Sequence, residues 1–499
     1  MRRRDLLFAA GATLAGCSGP ALRVPDVEEA TIADLAKHSA TANARAYVDR
    51  HLIIDRHRTN AIIEINRDWQ RIAAELDAAP ARKGPLHGIP ILVKDNIDTA
   101  DAMRTTAGSL ALMSAPRPRQ DAPIVARLRE AGAVILGKTN LSEWANIRSN
   151  RSSSGWSARG GQTRNPCAFD RSPSGSSSGS GAAAAASLCA VAIGTETDGS
   201  IVSPSSLNGL VGIKPTVGLL SGQGMIPISH TQDTAGPMAR TVRDAAIVLG
   251  VMAGKDYTGA LRSDALRGAR IGVCRQMFLR NPMTTALAEA AIVDLKKVGA
   301  EIVDPVATPT LSGLDGPEFE VLLYELKADL NAYLEARGGD IRSLADVIRF
   351  NEQNARREMP FFGQETFLRA QEKGDLNTAE YKEALAACRR LSRDQGIDAV
   401  MNEHRLDALF APTDSPAWPI DWLNGDHFTG GSSTMPAVAG YPHITVPGGF
   451  VYGLPVGMSF MGRANSDEQL IGFAYAYEQR TKHRRKPRYL STLDFQQGQ

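Results

Sequence analysis

The chain has 499 residues, 43% of them hydrophobic and 22% charged, with a formal net charge of +2. High apolar content with little net charge excludes a disordered chain, and no apolar run reaches the roughly 18 residues that a membrane-spanning helix requires. Five cysteines in a chain this long exclude a disulfide scaffold, and the length allows either several domains or the single core that large α/β enzymes often keep.

The chain opens with Arg2, Arg3 and Arg4, followed by an eleven-residue apolar segment from Leu6 to Gly16 that is too short to span a bilayer. The arginine pair before Leu6-Leu7 resembles a twin-arginine export signal. Leu14-Ala-Gly-Cys17 resembles the bacterial lipobox, in which the cysteine becomes the lipidated first residue after cleavage. Residues 1–16 are therefore expected to be a removed signal and Cys17 a lipid anchor, giving an exported periplasmic lipoprotein that meets the membrane through its lipid alone. Without Arg2, Arg3, Arg4 and Asp5 the basic and acidic residues are equal in number. That balance supplies no cationic face for a nucleic acid.

Residues 25 to 80 read as three helices, beginning near Asp26, at Thr41, and from Ile65 to Ala78, each with apolar spacing near 3.6. Gly88-Ile-Pro-Ile-Leu-Val-Lys94 reads as a buried strand, Asp121 to Ala131 as a helix, and Ala133 to Gly137 as a second strand. Residues 149 to 181 are dominated by Ser, Gly, Arg and Asn, and the Ser/Gly tract from 171 to 181 reads as a functional loop, followed by a helix of small residues from Ala182 to Cys189 and a strand from Ala190 to Gly194. Beyond Arg240 the pattern gives a helix, a strand from Ala269 to Cys274, a helix from Met283 to Val298 and a strand from Glu301 to Val303. Residues 317–397 form a peripheral helical layer. Strands return at Ala408–Ala411 and His443–Pro447, and a helix from Asp467 to Gln479 closes the chain. Strand and helix alternate throughout, which predicts an α/β fold with a mixed β-sheet core covered by helices on both sides. One domain is expected over residues 25–492.

The remaining cysteines, Cys167, Cys189, Cys274 and Cys388, are scattered and read as isolated buried thiols. The nine histidines carry no metal-ligand spacing, and no phosphate-binding loop is present, so no metal or cofactor is expected. Two serines stand in Gly/Ser-rich turns, within Ser174-Gly-Ser-Ser-Ser-Gly179 and Thr195-Glu-Thr-Asp-Gly-Ser200. In the second, Gly199 permits a tight turn that can aim the N–H groups of Thr197, Asp198, Gly199 and Ser200 at one negative charge, though the same pattern occurs in purely structural turns. Gly175-Ser-Ser-Ser-Gly179 formally matches the nucleophile elbow G-x-S-x-G, but no strand precedes it, so Ser177 is not read as a nucleophile. Lys94 ends an otherwise apolar strand. It is either a side chain reaching out to solvent or a buried amine with a lowered pKa, and alternation directs Asp95 to the opposite face.

The run from Ser172-Pro-Ser-Gly-Ser-Ser-Ser-Gly179 through Glu196-Thr-Asp-Gly-Ser-Ile201 to Gly212-Ile-Lys-Pro-Thr216 resembles the amidase signature family. Gly88 to Asp98, Gly137 to Trp144, Thr163 to Pro166, Gln232 to Met238 and Gly453 to Gly457 add to the resemblance, which covers residues 30 to 490. It implies the amidase signature fold and an amidohydrolase with a Ser–Ser–Lys triad. Ser200 would be the acyl-forming nucleophile, Ser176 the bridging serine after a cis peptide bond, and Lys94 the neutral base. Thr197, Asp198 and Gly199 would contribute to the oxyanion hole. Asp198 departs from the Gly that many members carry. Together with Ser152 to Thr163 and Pro416 to Gly425, where Trp418 and Trp422 are possible pocket residues, it resembles the bacterial peptide amidase branch. The expected substrate is a C-terminal peptide amide. Simple aliphatic or aryl amides are the alternative within enzymes, and a non-catalytic periplasmic binding protein is the alternative outside them. An amidotransferase subunit acting with tRNA shares the signature, but the export signal and the balanced charge argue against it.

Overall fold

An eleven-stranded mixed β-sheet runs through the computed structural model, which describes residues 25–278, 281–493 and 495. The expected signal, residues 1–16, and Cys17 lie outside these residues. In chain order the strands are β1 (Ile62–Ile65), β2 (Pro90–Lys94), β3 (Val134–Thr139), β4 (Val191–Glu196), β5 (Val211–Lys214), β6 (Thr234–Ala239), β7 (Arg270–Val273), β8 (Glu301–Val303), β9 (Ala408–Pro412), β10 (His443–Val451) and β11 (Leu454–Met461). Across the sheet the order is β1-β3-β2-β4-β6-β5-β10-β11-β9-β7-β8. The β3–β2–β4 and β9–β7–β8 pairs are parallel and the others antiparallel. The central parallel strands are buried on both faces, which is why they read as continuous apolar runs rather than as alternating ones.

Helices pack around this sheet, among them Val242–Ala253, Pro282–Lys297 and Asp467–Thr481, close to their expected bounds. Thr241 caps the first, its hydroxyl accepting from Asp244 N–H, and Asn281 caps the second in the same way through Met283 and Thr284. Within 317–397 the chain is helical at Asp315–Arg337, Leu344–Gln353, Ala355–Glu358, Glu365–Gln371 and Ala379–Arg389. Leu323, Leu326, Leu330 and Leu334 of its longest helix pack in a separate apolar cluster with Leu141 and Trp144.

The helix expected near Asp26 begins only at Ile32, strands β5, β6 and β11 were not expected, and two further segments differ from the sequence expectation. Ile65 closes strand β1, and the helix expected from that residue runs instead over Trp69–Asp77. β1 pairs with β3 through Ile62–Thr139 and Ile65–Gly137, contacts more than 70 residues apart that a local pattern does not contain. The helix expected over Ala182 to Cys189 is Ser178–Ala185, beginning inside the Ser/Gly tract with all eight of its residues buried. Small residues are required there: a Cβ on Gly179 would lie 2.4 Å from the carbonyl oxygens of both Ala61 and Asn140. The helix rests on backbone, so neither a larger side chain nor a flexible linker fits. Cys167, Cys189, Cys274 and Cys388 are free and buried, as expected.

Candidate active site

Lys94 ends β2 with its side chain directed into the protein, fully buried. Its Nζ donates to Ser176 Oγ at 2.8 Å, to Thr195 Oγ1 at 2.9 Å and to Thr195 O at 3.2 Å. Burial lowers its pKa to about 7, against the opposing fields of Asp233 and Glu196. Asp95 faces elsewhere, held by Arg159 at 3.0 Å and by Thr106 at 2.5 Å. Burial alone does not single out Lys94. Lys138 and Lys214 are equally buried, and burial lowers both, Lys214 to about 8. Lys138 donates to Ile97 O and Thr105 Oγ1, and Lys214 to Pro215 O. Of the three, Lys94 is the one held against a serine in the Gly/Ser-rich loop.

That loop is built to present Ser176. The Gly175–Ser176 peptide is cis, and Ser174 before it has a left-handed φ of 62°. Ser178 Oγ donates to Ser174 O at 2.6 Å, and Ser142 N–H donates to Ser176 O at 3.0 Å. Ser174 Oγ meets Ser203 Oγ at 2.7 Å, and Ser203 in turn donates to Asp414. Ser177, the centre of the formal elbow motif, has its hydroxyl engaged as donor to Thr195 O (3.0 Å) and acceptor from Thr195 N–H (3.2 Å). Its N–H donates to Ser200 O at 3.2 Å, which sets the backbone of the Ser200 turn beside the Ser176–Ser177 segment.

The turn itself hangs between β4 and the short helix Val202–Leu207. Glu196 Oε2 accepts the N–H groups of Ile201 and Val202 at 2.7 and 3.0 Å. Thr197 Oγ1 donates to Asp233 at 2.5 Å, and Thr434 Oγ1 donates to Asp198 Oδ2 at 2.8 Å. Gly199 has φ +79°, where an L side chain is strained, and a Cβ there would also approach Ser433 Oγ at 3.0 Å. With the turn held from these sides, the N–H groups of Thr197, Asp198, Gly199 and Ser200 have no protein acceptor among the described residues. Such a run of N–H groups is a nest for an oxyanion. A cavity of about 360 Å³ opens onto Gly175 and Gly199 and is lined by Asp198, Asp414 and Trp418. Trp422 stands outside it, its ring stacked on Phe361 at 4.9 Å and its Nε1 bonded to Gln162.

The family model for Amidase matches residues 42–471, a span that holds Lys94, Ser176 and Ser200. The chain belongs to the amidase family. It is similar to the peptide amidase PAM solved with the competitive inhibitor chymostatin, at 50% identity and a TM-score of 0.90, covering 92% of this chain and 99% of that one. The native peptide amidase from Stenotrophomonas maltophilia is 49% identical, with a TM-score of 0.89 and coverage of 92% and 99%. A protein of Arabidopsis thaliana described as a probable amidase is 40% identical over 462 residues, 87% of this chain and 85% of its own. The amidase is an amidohydrolase, and its fold is the amidase signature fold.

Several residues that shape the amidase site were not singled out by the sequence. Thr195 supplies two of the three acceptors of Lys94, and Asp233 steadies Thr197. Both stand inside motifs that carried the family resemblance, Thr195 in the Ser200 turn and Asp233 in Gln232 to Met238. Asp414 had no sequence signal, since it meets Ser203 across 211 residues of chain. His230, Glu325 and Asp329 are the one set of potential metal ligands close together among the described residues. Glu325 there already accepts from Ser229, Thr231 and Tyr381, and Asp329 from the backbone and ring of His230.

Proposed function

We propose that the amidase hydrolyses carboxamides through an acyl-enzyme on Ser200, with Ser176 as proton bridge and Lys94 as base. The observation that carries this reading is the 2.8 Å contact between Ser176 Oγ and a buried lysine whose pKa lies near 7. A lysine is useful as a base only when neutral, and a pKa near working pH is what general-base catalysis favours. In the attack step neutral Lys94 takes the Ser176 proton while Ser176 takes the Ser200 proton, and Ser200 Oγ bonds to the amide carbon. The carbonyl oxygen gains the negative charge, which the N–H groups of Thr197, Asp198, Gly199 and Ser200 are suited to receive. Collapse expels the amine, protonated from Lys94 through Ser176. Water then attacks the acyl-serine by the same relay, releasing the acid and returning the proton to Ser200.

The proposed substrate is the C-terminal amide of a peptide, supported by the likeness to two peptide amidase structures over almost their whole length. Ammonia release from an amidated peptide, with mass spectrometry of the remaining chain, tests it. The expected result is a loss of the terminal amide with every internal bond intact. Ammonia from a simple amide but not from the peptide would move the substrate to small aliphatic or aryl amides.

We also propose that Cys17 is the lipidated N-terminus of an exported periplasmic lipoprotein. Labelled palmitate fed to an expressing bacterium is expected to enter the full chain and to be absent from Cys17→Ser. Equal labelling of the two would remove the anchor.

A further inference from the structure

Three carboxyl groups from separate stretches of chain wall the cavity: Asp198 in the Ser200 turn, Asp414 after β9, and Asp426 in the loop beyond. All their hydrogen-bond donors are neutral. Asp198 accepts from Thr434 Oγ1 through one oxygen, and its other oxygen, Oδ1, is buried with no partner. Asp414, fully buried, accepts from Ser203 Oγ and from Ser415 N–H at 2.6 Å. Asp426 accepts from Ser154 N–H at 3.1 Å and from Trp418 Nε1 at 3.0 Å. Among the described residues no Lys, Arg or His nitrogen comes within 4.0 Å of any of the three. Arg151 is the one basic residue on the cavity wall, and it is exposed.

Burial raises the pKa of all three carboxyls, Asp414 to about 7. Carboxyl groups taken out of water without a counter-charge are costly, and proteins normally pair them. Here three converge on one cavity: Asp198 feels the buried Lys214 only through space, Arg151 stands exposed on the wall, and no basic group acts on Asp414 or Asp426. With only about 360 Å³ available, a charge that meets them must sit close to the group held at Gly175 and Gly199.

We propose that the cavity selects amides that carry a positive charge near the scissile group, either the free α-ammonium of an amino-acid amide or the basic side chain of a C-terminal residue. This rests on the acyl-serine reading above and names the substrate class for the same site. The same carboxyls would face the carboxylate of the acid product, so the wall favours the amide over what it becomes.

Two pairs of compounds separate the sources of charge. N-acetylarginine amide is compared with N-acetylcitrulline amide, which has the same shape without the charge, and alaninamide with N-acetylalaninamide. In at least one pair the charged member is expected to have about tenfold higher kcat/KM, carried by KM, as one unscreened charge contact would give. The pair that shows the difference identifies the source. In Asp426→Asn, which keeps an oxygen to accept from Trp418, the charged-to-neutral ratio is expected to fall several-fold. Titration calorimetry of the same four compounds on Ser200→Ala reads binding without turnover. Equal kcat/KM and equal affinity within both pairs overturn the selection of charge. If no compound releases ammonia but the charged members bind tighter, the acyl-serine reading fails and the cation site stands.

Discussion

Ser200→Ala is expected to lower kcat for any amide by at least about 10⁴-fold, the scale on which removal of a nucleophile acts in serine hydrolases. Ser176 cannot replace it, because its hydroxyl is held on Lys94 at 2.8 Å rather than freed toward the cavity. The fold is expected to survive. Ser200 takes part in packing through its backbone carbonyl, which accepts from Ser177 N–H and is unchanged in alanine, and its hydroxyl has no hydrogen bond among the described residues. Melting temperature should therefore move by no more than a few degrees, within the range of substitutions that break no buried interaction. A fluorophosphonate that acylates the wild-type enzyme is expected to leave Ser200→Ala unlabelled, with intact-mass spectrometry as the readout. Labelling that persists in Ser200→Ala and disappears in Ser176→Ala would exchange the roles of the two serines.

What the sequence made legible follows how far each interaction reaches along the chain. Strand β2 announces itself as an apolar run ended by a lysine, and the turn before Ser200 as Thr195 to Gly199, because each depends on a few consecutive residues. The burial of Lys94 could be suspected from its place in that run. Spacing alone could not give its partners, since Ser176 and Thr195 lie 82 and 101 residues away; Ser176 came only through the family resemblance, and Thr195 was not named as a partner. Strand β1 was hidden for the same reason: Ile62 to Ile65 is too short for a period to show, and its pairing with β3 decides its state. Helix Ser178–Ala185 begins four residues before the sequence expectation because Ser and Gly are poor helix formers in isolation, and tertiary contact with Ala61 and Asn140 overrides that preference. Trp418 and Trp422, alike in sequence, part company in space: one lines the cavity and the other stacks on Phe361 outside it.

Lys94→Ala is expected to lower kcat/KM by about 10³-fold at neutral pH, in the range attributed to a positioned general base. The pH profile distinguishes this role from a structural one. The base must be neutral, and the pKa of Lys94 is about 7, so activity should fall as pH drops below about 7 and level off above it. Thr195→Val removes an acceptor that favours the ammonium form, so its acidic limb should move to lower pH. Lys94→Arg keeps the charge but cannot lose its proton, and should be inactive throughout. Stability should also rise with pH, but over a higher window. The folded protein holds Lys94 with a lowered pKa, so between about 7 and the ordinary lysine value near 10.5 the unfolded chain binds more protons than the folded one. The burial penalty is then fully present below about 7 and fades as pH rises toward 10.5. Lys94→Met, which fills the same space without a charge, should gain melting temperature relative to the wild type as pH falls through that window. A lysine in this role thus weakens the fold that positions it, and the two pH dependences meet at about 7, where the activity limb is centred and the stability window opens. Ammonia release by Lys94→Met within tenfold of wild type at pH 7 would take Lys94 out of the reaction, whatever the melting curves gave.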